Sequence, residues 1–153
     1  MNNSTYEEQL RLRGSLVYTN VGDSMMPLLR QHRDLMVIEK RQPGRCKKYD
    51  VVLYKRPSGQ YVLHRILKVR RDDYVICGDN RWRREFGVRE DWILGVMTAV
   101  VRDGKQLRVT DRKYRLYVRL WCDFFWIRAG ILWIAELPGR IKRKLRKHGT
   151  KKQ

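Results

Sequence analysis

From Leu16 to Val109 the chain alternates short apolar, β-branched runs with clusters of turn residues, a pattern that predicts strands rather than helices. The strand candidates are Leu16 to Val21, Leu35 to Glu39, Asp50 to Tyr54, Tyr61 to Val69, Tyr74 to Cys77, Ile93 to Val101 and Leu107 to Val109. Gln42-Pro43-Gly44 is a loop ahead of the third of these. Pro57-Ser58-Gly59 and Asp103-Gly104 each separate two β-prone runs and predict hairpins. Within Tyr61 to Val69, alternation puts Val62, His64 and Ile66 on one face and Leu63, Arg65 and Leu67 on the other.

The pattern changes at Thr110. Asp111 to Leu137 contains no proline and only Gly130 as glycine, with Thr110-Asp111 as an N-cap and Pro138-Gly139 as a stop, so it predicts a helix. Arg112, Arg115, Arg119 and Asp123 share one face of that helix, and Trp121, Phe124, Phe125, Ile131, Leu132 and Trp133 supply apolar surface. Arg128 falls roughly opposite the polar face and breaks the amphipathic pattern. The uncharged run Ala129 to Ala135 is far shorter than the roughly 20 residues that span a bilayer. The organisation expected is one domain in two segments, a mainly β part over 1–110 and a helical, basic part over 111–153.

Charge sharpens this picture. The 153 residues carry a formal charge of +19, which favours anionic partners: phospholipid headgroups, nucleic acid or acidic peptides. Arg140 to Gln153 holds eight Lys/Arg and no acid. Next to an aromatic helix, such a run matches the two-signal pattern of peripheral attachment to an anionic membrane, on the cytoplasmic side, the plain alternative being that the helix packs on the β part. Met1 to Gln9 is polar, and no apolar h-region precedes Ser24, so a cytoplasmic protein without a signal peptide is expected. No helix-turn-helix, zinc-finger or RNA-recognition signature accompanies the charge, which disfavours nucleic acid. Cys46, Cys77 and Cys122 form no CxxC pair, so buried thiols are expected rather than a disulfide framework or zinc site, and no metal or cofactor is implied.

Candidate chemistry lies in three short contexts: Gly22-Asp23-Ser24-Met25-Met26-Pro27, Leu63-His64-Arg65-Ile66 and Gly78-Asp79-Asn80. A serine hydroxyl needs a base, histidine titrates near neutral pH, and an acid can hold the imidazole in one tautomer. Ser24 as nucleophile, His64 as base and Asp79 as orienting acid meet those needs. Gly22, Asp23, Met25 and Pro27 would border the substrate, with the Ser24 N–H stabilising an oxyanion. Each residue also has a plain reading: Ser24 and Asp79 as turn residues, His64 as a core histidine bonded to a carbonyl. His32 and His148 sit in charged contexts and are expected in solvent; Lys68, on the His64 face of its strand, is expected in solvent or facing substrate rather than acting as a base.

These motifs, in this order and with compatible strands between them, resemble the S24/S26 superfamily of serine peptidases. Within it they are most similar to signal peptidase I of the endoplasmic-reticulum and archaeal Ser–His type. The resemblance covers about Val17 to Arg102. It implies a signal-peptidase/LexA-like β-core, here followed by an aromatic, basic helix. It also implies endopeptidase action on a leader or signal-like peptide, bound as an added strand in a shallow cleft. Two departures concern turns: Arg33 and Tyr49 stand where the family often has glycine before the aspartates that match Asp34 and Asp50. A third is the absence of a membrane anchor ahead of the serine motif, which raises the expectation of a partner subunit. The competing expectation is a catalytically silent protein on the same scaffold that binds a peptide, nucleic acid or anionic membrane. The superfamily's self-cleaving repressors carry a DNA-binding domain ahead of the serine, for which the 23 residues before Ser24 leave no room.

Overall fold

Val51-Val52-Leu53-Tyr54 is apolar at every position because both faces of its strand are covered. Val51 and Leu53 enter one buried cluster with Leu16, Leu29, Met36, Met97 and Val100, whereas Val52 and Tyr54 enter a second with Ile66, Tyr74, Ile76 and Val88. The computed structural model describes residues 5–134, and in them the chain forms one antiparallel sheet of eight strands. These are β1 (Ser15–Thr19), β2 (Leu35–Lys40), β3 (Val51–Lys55), β4 (Tyr61–Val69), β5 (Tyr74–Cys77), β6 (Glu85–Val88), β7 (Ile93–Arg102) and β8 (Lys105–Arg108). The strand order is β1-β2-β7-β3-β4-β5-β6, with β8 also on β7. Strand β7 joins the two halves. It pairs β2 along most of its length, β3 through its first residues and β8 through its last. The fold is therefore mainly antiparallel β.

β4 and β5 have the bounds expected from the alternation. At the Asp103-Gly104 turn both residues have positive φ, 50° and 74°. That two-residue geometry matches strand twist and pairs Arg102 with Lys105, so β8 starts earlier than Leu107. Strand β6 and helix α1 (Tyr6–Arg13) were not anticipated. In α1, Thr5 Oγ1 accepts the Glu8 N–H at 3.3 Å, Gly14 closes the helix in the left-handed conformation, and Leu10 is buried in the first cluster.

The C-terminal helix begins as α2 (Arg112–Asp123). Asp111 holds the N-cap position, but its carboxylate accepts the Arg108 N–H instead of capping. The chain turns at Phe124, and residues 125–134 are again helical. Tyr114, Val118 and Cys122 join the first buried cluster, and Phe125 and Ala129 pack with Cys77. This helix thus shares the core of the sheet. Its other side carries Leu116, Leu120, Phe124, Ile127, Ile131 and Ile134, all exposed. No helix among the described residues is long and apolar enough to cross a membrane. The last part of the expected helix, the basic run 140–153 and His148 lie outside the described residues.

Candidate active site

The loop between β1 and β2 carries Ser24. Met25, Leu28 and Leu29 are buried in the first cluster and anchor the loop from below. Asn20 closes its ends, its side-chain amide donating to the carbonyls of Gly22 and Leu29. Asp34, fully buried, accepts the Arg30 N–H at 2.8 Å and the Arg102 Nε–H at 3.0 Å, which fixes the turn before β2. Ser24, Gly22 and Asp23 line a cleft of about 480 Å³. Met25 and Pro27, expected to border the substrate, are not in its wall: Met25 is a core residue and Pro27 faces outward.

His64, on β4, lines the same cleft. Burial pushes its pKa down to about 4, so the imidazole is neutral at pH 7, the form a general base needs. Its Nδ1 lies 3.4 Å from the Tyr54 hydroxyl. Ser24 and His64 are not joined by a hydrogen bond among the described residues; such bonds often tighten only when substrate is bound.

The third motif, the turn after β5, ties the other two together. Asn80 donates its N–H to the Ser24 carbonyl at 2.8 Å and its side-chain amide to the Asp23 carbonyl at 3.2 Å. Arg81 pairs with Asp23 at 2.5 Å and lowers the pKa of its carboxyl. Gly78 lies between serine loop and histidine. A Cβ placed there would sit 2.6 Å from the Ser24 carbonyl oxygen and 3.1 Å from His64 Cδ2. The three motifs thus meet around Gly78, with His64 Cδ2 turned toward it. Gly78→Ala is expected to destabilise the protein by about 1–3 kcal/mol. It should also reduce any activity of the cleft by more than the loss of folded protein explains. Thermal unfolding and turnover on the same preparations check this. Gly22→Ala, where a Cβ meets nothing within 4 Å, is the stability control.

Asp79 stands differently from the expectation. Its carboxylate is 1 % exposed and accepts both Arg65 Nε–H at 2.8 Å and Arg65 Nη2–H at 2.7 Å, with the Tyr117 hydroxyl at 2.9 Å on Oδ2. Trp121 Nε1–H donates to the Asp79 carbonyl. Because β4 alternates, Arg65 points to the face opposite His64, and the ion pair forms there, under α2. Burial alone would favour a neutral Arg65, but Asp79 outweighs it and holds the guanidinium charged. The remaining donors of Arg65 reach the Tyr49 carbonyl and the Tyr114 hydroxyl. Tyr49, at a glycine-like φ of 78°, takes up the left-handed turn without a glycine.

Arg65, Tyr54, Glu85, Tyr117 and Arg81 were not singled out by the sequence. Only Arg65 carried a signal, as a charge inside an apolar strand beside the histidine. Cys46, Cys77 and Cys122 are buried and unpaired, and burial raises each thiol to about 11, so none is a thiolate at neutral pH. His32 and Lys68 are exposed. Comparison of the chain with models of known protein families, with curated proteins and with solved structures finds no match.

Proposed function

We propose that the protein is a serine endopeptidase of the S24/S26 type, on a signal-peptidase/LexA-like core, which cleaves a leader or signal-like peptide. The observation that carries this reading is that Ser24 and His64 line one cleft, with Gly78 and Asn80 packed against the serine loop and the imidazole. Apolar side chains of Leu16, Met36, Ile38, Leu53 and Leu63 line the cleft beside Ser24 and suit small or apolar substrate side chains.

In the reaction, His64 Nε2 takes the Ser24 Oγ proton as Oγ bonds to the scissile carbonyl carbon and the carbonyl π electrons move to oxygen. The Ser24 N–H, which makes no hydrogen bond among the described residues, is free to donate to that oxyanion. Collapse breaks the C–N bond, and the Nε2 proton passes to the leaving amine. Water then attacks the acyl carbon, giving a proton to Nε2; the C–Oγ bond breaks, Nε2 returns that proton to Ser24 Oγ, and the acid is released. The test is covalent labelling by a serine-directed or signal-peptidase-type inhibitor. Adduct on Ser24, lost in Ser24→Ala, supports the reading. A folded protein that binds peptide equally well with or without the Ser24 hydroxyl, and never labels, is a binding protein instead.

The same proposal includes peripheral attachment to an anionic membrane. It is supported by the exposed stripe Leu116, Leu120, Phe124, Ile127, Ile131 and Ile134, by Trp126 at 75 % exposure, and by basic residues within and beyond the helix. Each Lys/Arg near such a surface contributes about 1 kcal/mol. Native protein is expected to sediment with phosphatidylserine-containing vesicles at low salt and to release at high salt. Leu120→Glu/Ile127→Glu, at exposed positions, should fold normally and stay in the supernatant. Equal sedimentation of both proteins would remove the helix from this role, leaving a partner subunit as its occupant.

A further inference from the structure

The Tyr54 hydroxyl stands beside Nδ1 of the imidazole, across the ring from the Cδ2 atom that faces Gly78. The Tyr54 hydroxyl donates to Glu85 Oε2 at 2.6 Å. Glu85 is in turn gripped by Arg56 through both carboxylate oxygens, at 2.9 Å from Nε to Oε1 and by a shorter contact from Nη2 to Oε2. Burial would raise the Glu85 carboxyl, but Arg56 and Tyr54 outweigh it and hold it below the usual range, so it is ionised and only accepts. A phenol has one proton. With that proton committed to Glu85, the oxygen of Tyr54 can face His64 Nδ1 only as an acceptor.

We infer that Tyr54 and Glu85 form a relay that positions His64, fixing its proton on Nδ1 and leaving Nε2 as the basic nitrogen toward Ser24. The inference rests on the peptidase reading for its use in turnover, but not for the tautomer itself. The relay does the work expected of Asp79, whose carboxylate is taken up by Arg65 and Tyr117. The sheet makes it possible. In the β3–β4 register Val52 faces His64 and Tyr54 faces Val62, so Tyr54 and His64 are diagonal neighbours on one face. Strand β6 brings Glu85 to the same place. When His64 accepts the Ser24 proton on Nε2, Nδ1 keeps its own, and the new positive charge is met by Glu85 through the Tyr54 dipole. No proton need leave the relay, so the balance of the step is unchanged. The charged groups acting on His64 are Glu85 and Asp79, which favour its protonated form, and Arg56 and Arg81, which oppose it.

The experiment is ¹⁵N NMR of the full chain above pH 7, with the His64 signals assigned by their loss in His64→Gln, alongside turnover of wild type, Tyr54→Phe and Glu85→Gln. The wild type should show Nδ1 protonated and Nε2 bare. Tyr54→Phe should shift the population toward the other tautomer. Either variant should lower kcat about tenfold to a hundredfold, the scale of one hydrogen bond to a charged group, with KM little changed. Glu85→Gln keeps a side-chain oxygen as acceptor for the phenol, so it folds even if Tyr54→Phe does not. It should move the acid limb of kcat/KM to lower pH, because Glu85 favours the imidazolium; a purely structural contact would leave that limb in place. A wild-type imidazole protonated on Nε2, or variants that keep both tautomer and pH profile, would overturn the relay. If the tautomer is as stated but Ser24 never labels, the relay stands and the peptidase reading fails.

Discussion

Ser24→Ala is expected to lower peptide cleavage about a thousandfold or more, His64→Ala to do the same, and the double variant to fall little further. In the proposed mechanism the two act in one proton transfer, so removing either removes the step. Both side chains line the cleft, and Ser24 has no side-chain hydrogen bond among the described residues, so the serine substitution should leave stability near that of the native protein. The native pH profile provides a second readout. Burial holds the imidazole pKa near 4, so activity should persist as pH falls through 6.5, the ordinary histidine value, and be lost nearer 4. The same shift has a stability consequence. Between those two values the unfolded chain binds a proton at this position and the folded chain does not. Stability therefore rises with pH through that window, by an amount on the order of 3 kcal/mol. Cleavage assays and denaturant titrations across pH 4–8 check both, and an acid limb centred on 6.5 would mean a solvated His64.

The second large effect concerns Asp79. Asp79→Asn is expected to lower stability by about 3–5 kcal/mol, because it leaves the fully buried Arg65 guanidinium with no counter-charge. Activity should follow the folded fraction. A residue acting directly on His64 would behave in the opposite way, with turnover collapsing while the denaturation midpoint held. Urea titration combined with turnover per folded molecule separates the two. Arg65→Met should be similarly damaging, and combining it with Asp79→Asn should cost less than the two single losses together, since the second substitution removes a charge already orphaned by the first.

Much of this fold was legible because sheet burial writes a period of two into the chain. β4 and β7 were readable on that basis, whereas β3 and β5, covered on both faces, were readable as short apolar runs between turn residues. Strand β6 was not, since Glu85-Phe86-Gly87-Val88 is short, buries only Val88 and follows three basic residues in Arg81-Trp82-Arg83-Arg84. Helix α1 was overlooked although Thr5 and Glu8 stand at capping-box spacing, because it carries a single buried side chain, Leu10. Arg128 interrupts the amphipathic pattern of the C-terminal helix, yet it is buried, stacked on Trp121 and Phe125 and reaching toward the Arg81 carbonyl. Aromatic faces accept a cation that a polar/apolar count assigns to water. In the candidate site, Ser24 and His64 were readable from their contexts. The partners of Asp79 were not, because proximity of carboxylate and imidazole in the motif order says nothing of which face of β4 each occupies. Tyr54 and Glu85 are joined only by the pairing of β3, β4, β5 and β6, and nothing in their sequence neighbourhood marks them.

The grip of Arg102 on Asp34 spans 68 positions of chain. During synthesis Ser24 leaves the ribosome early, but the turn behind its loop has no guanidinium to close on until β7 has been made. Strand β7 must also arrive before β2 and β3 lie in one sheet. Pairings this distant in sequence form late, after the loop-closure entropy has been overcome. Ser24 is therefore translated early while its loop is completed late, and under the proposed function a nascent or truncated chain holding Ser24 and His64 would remain inactive until β7 docks.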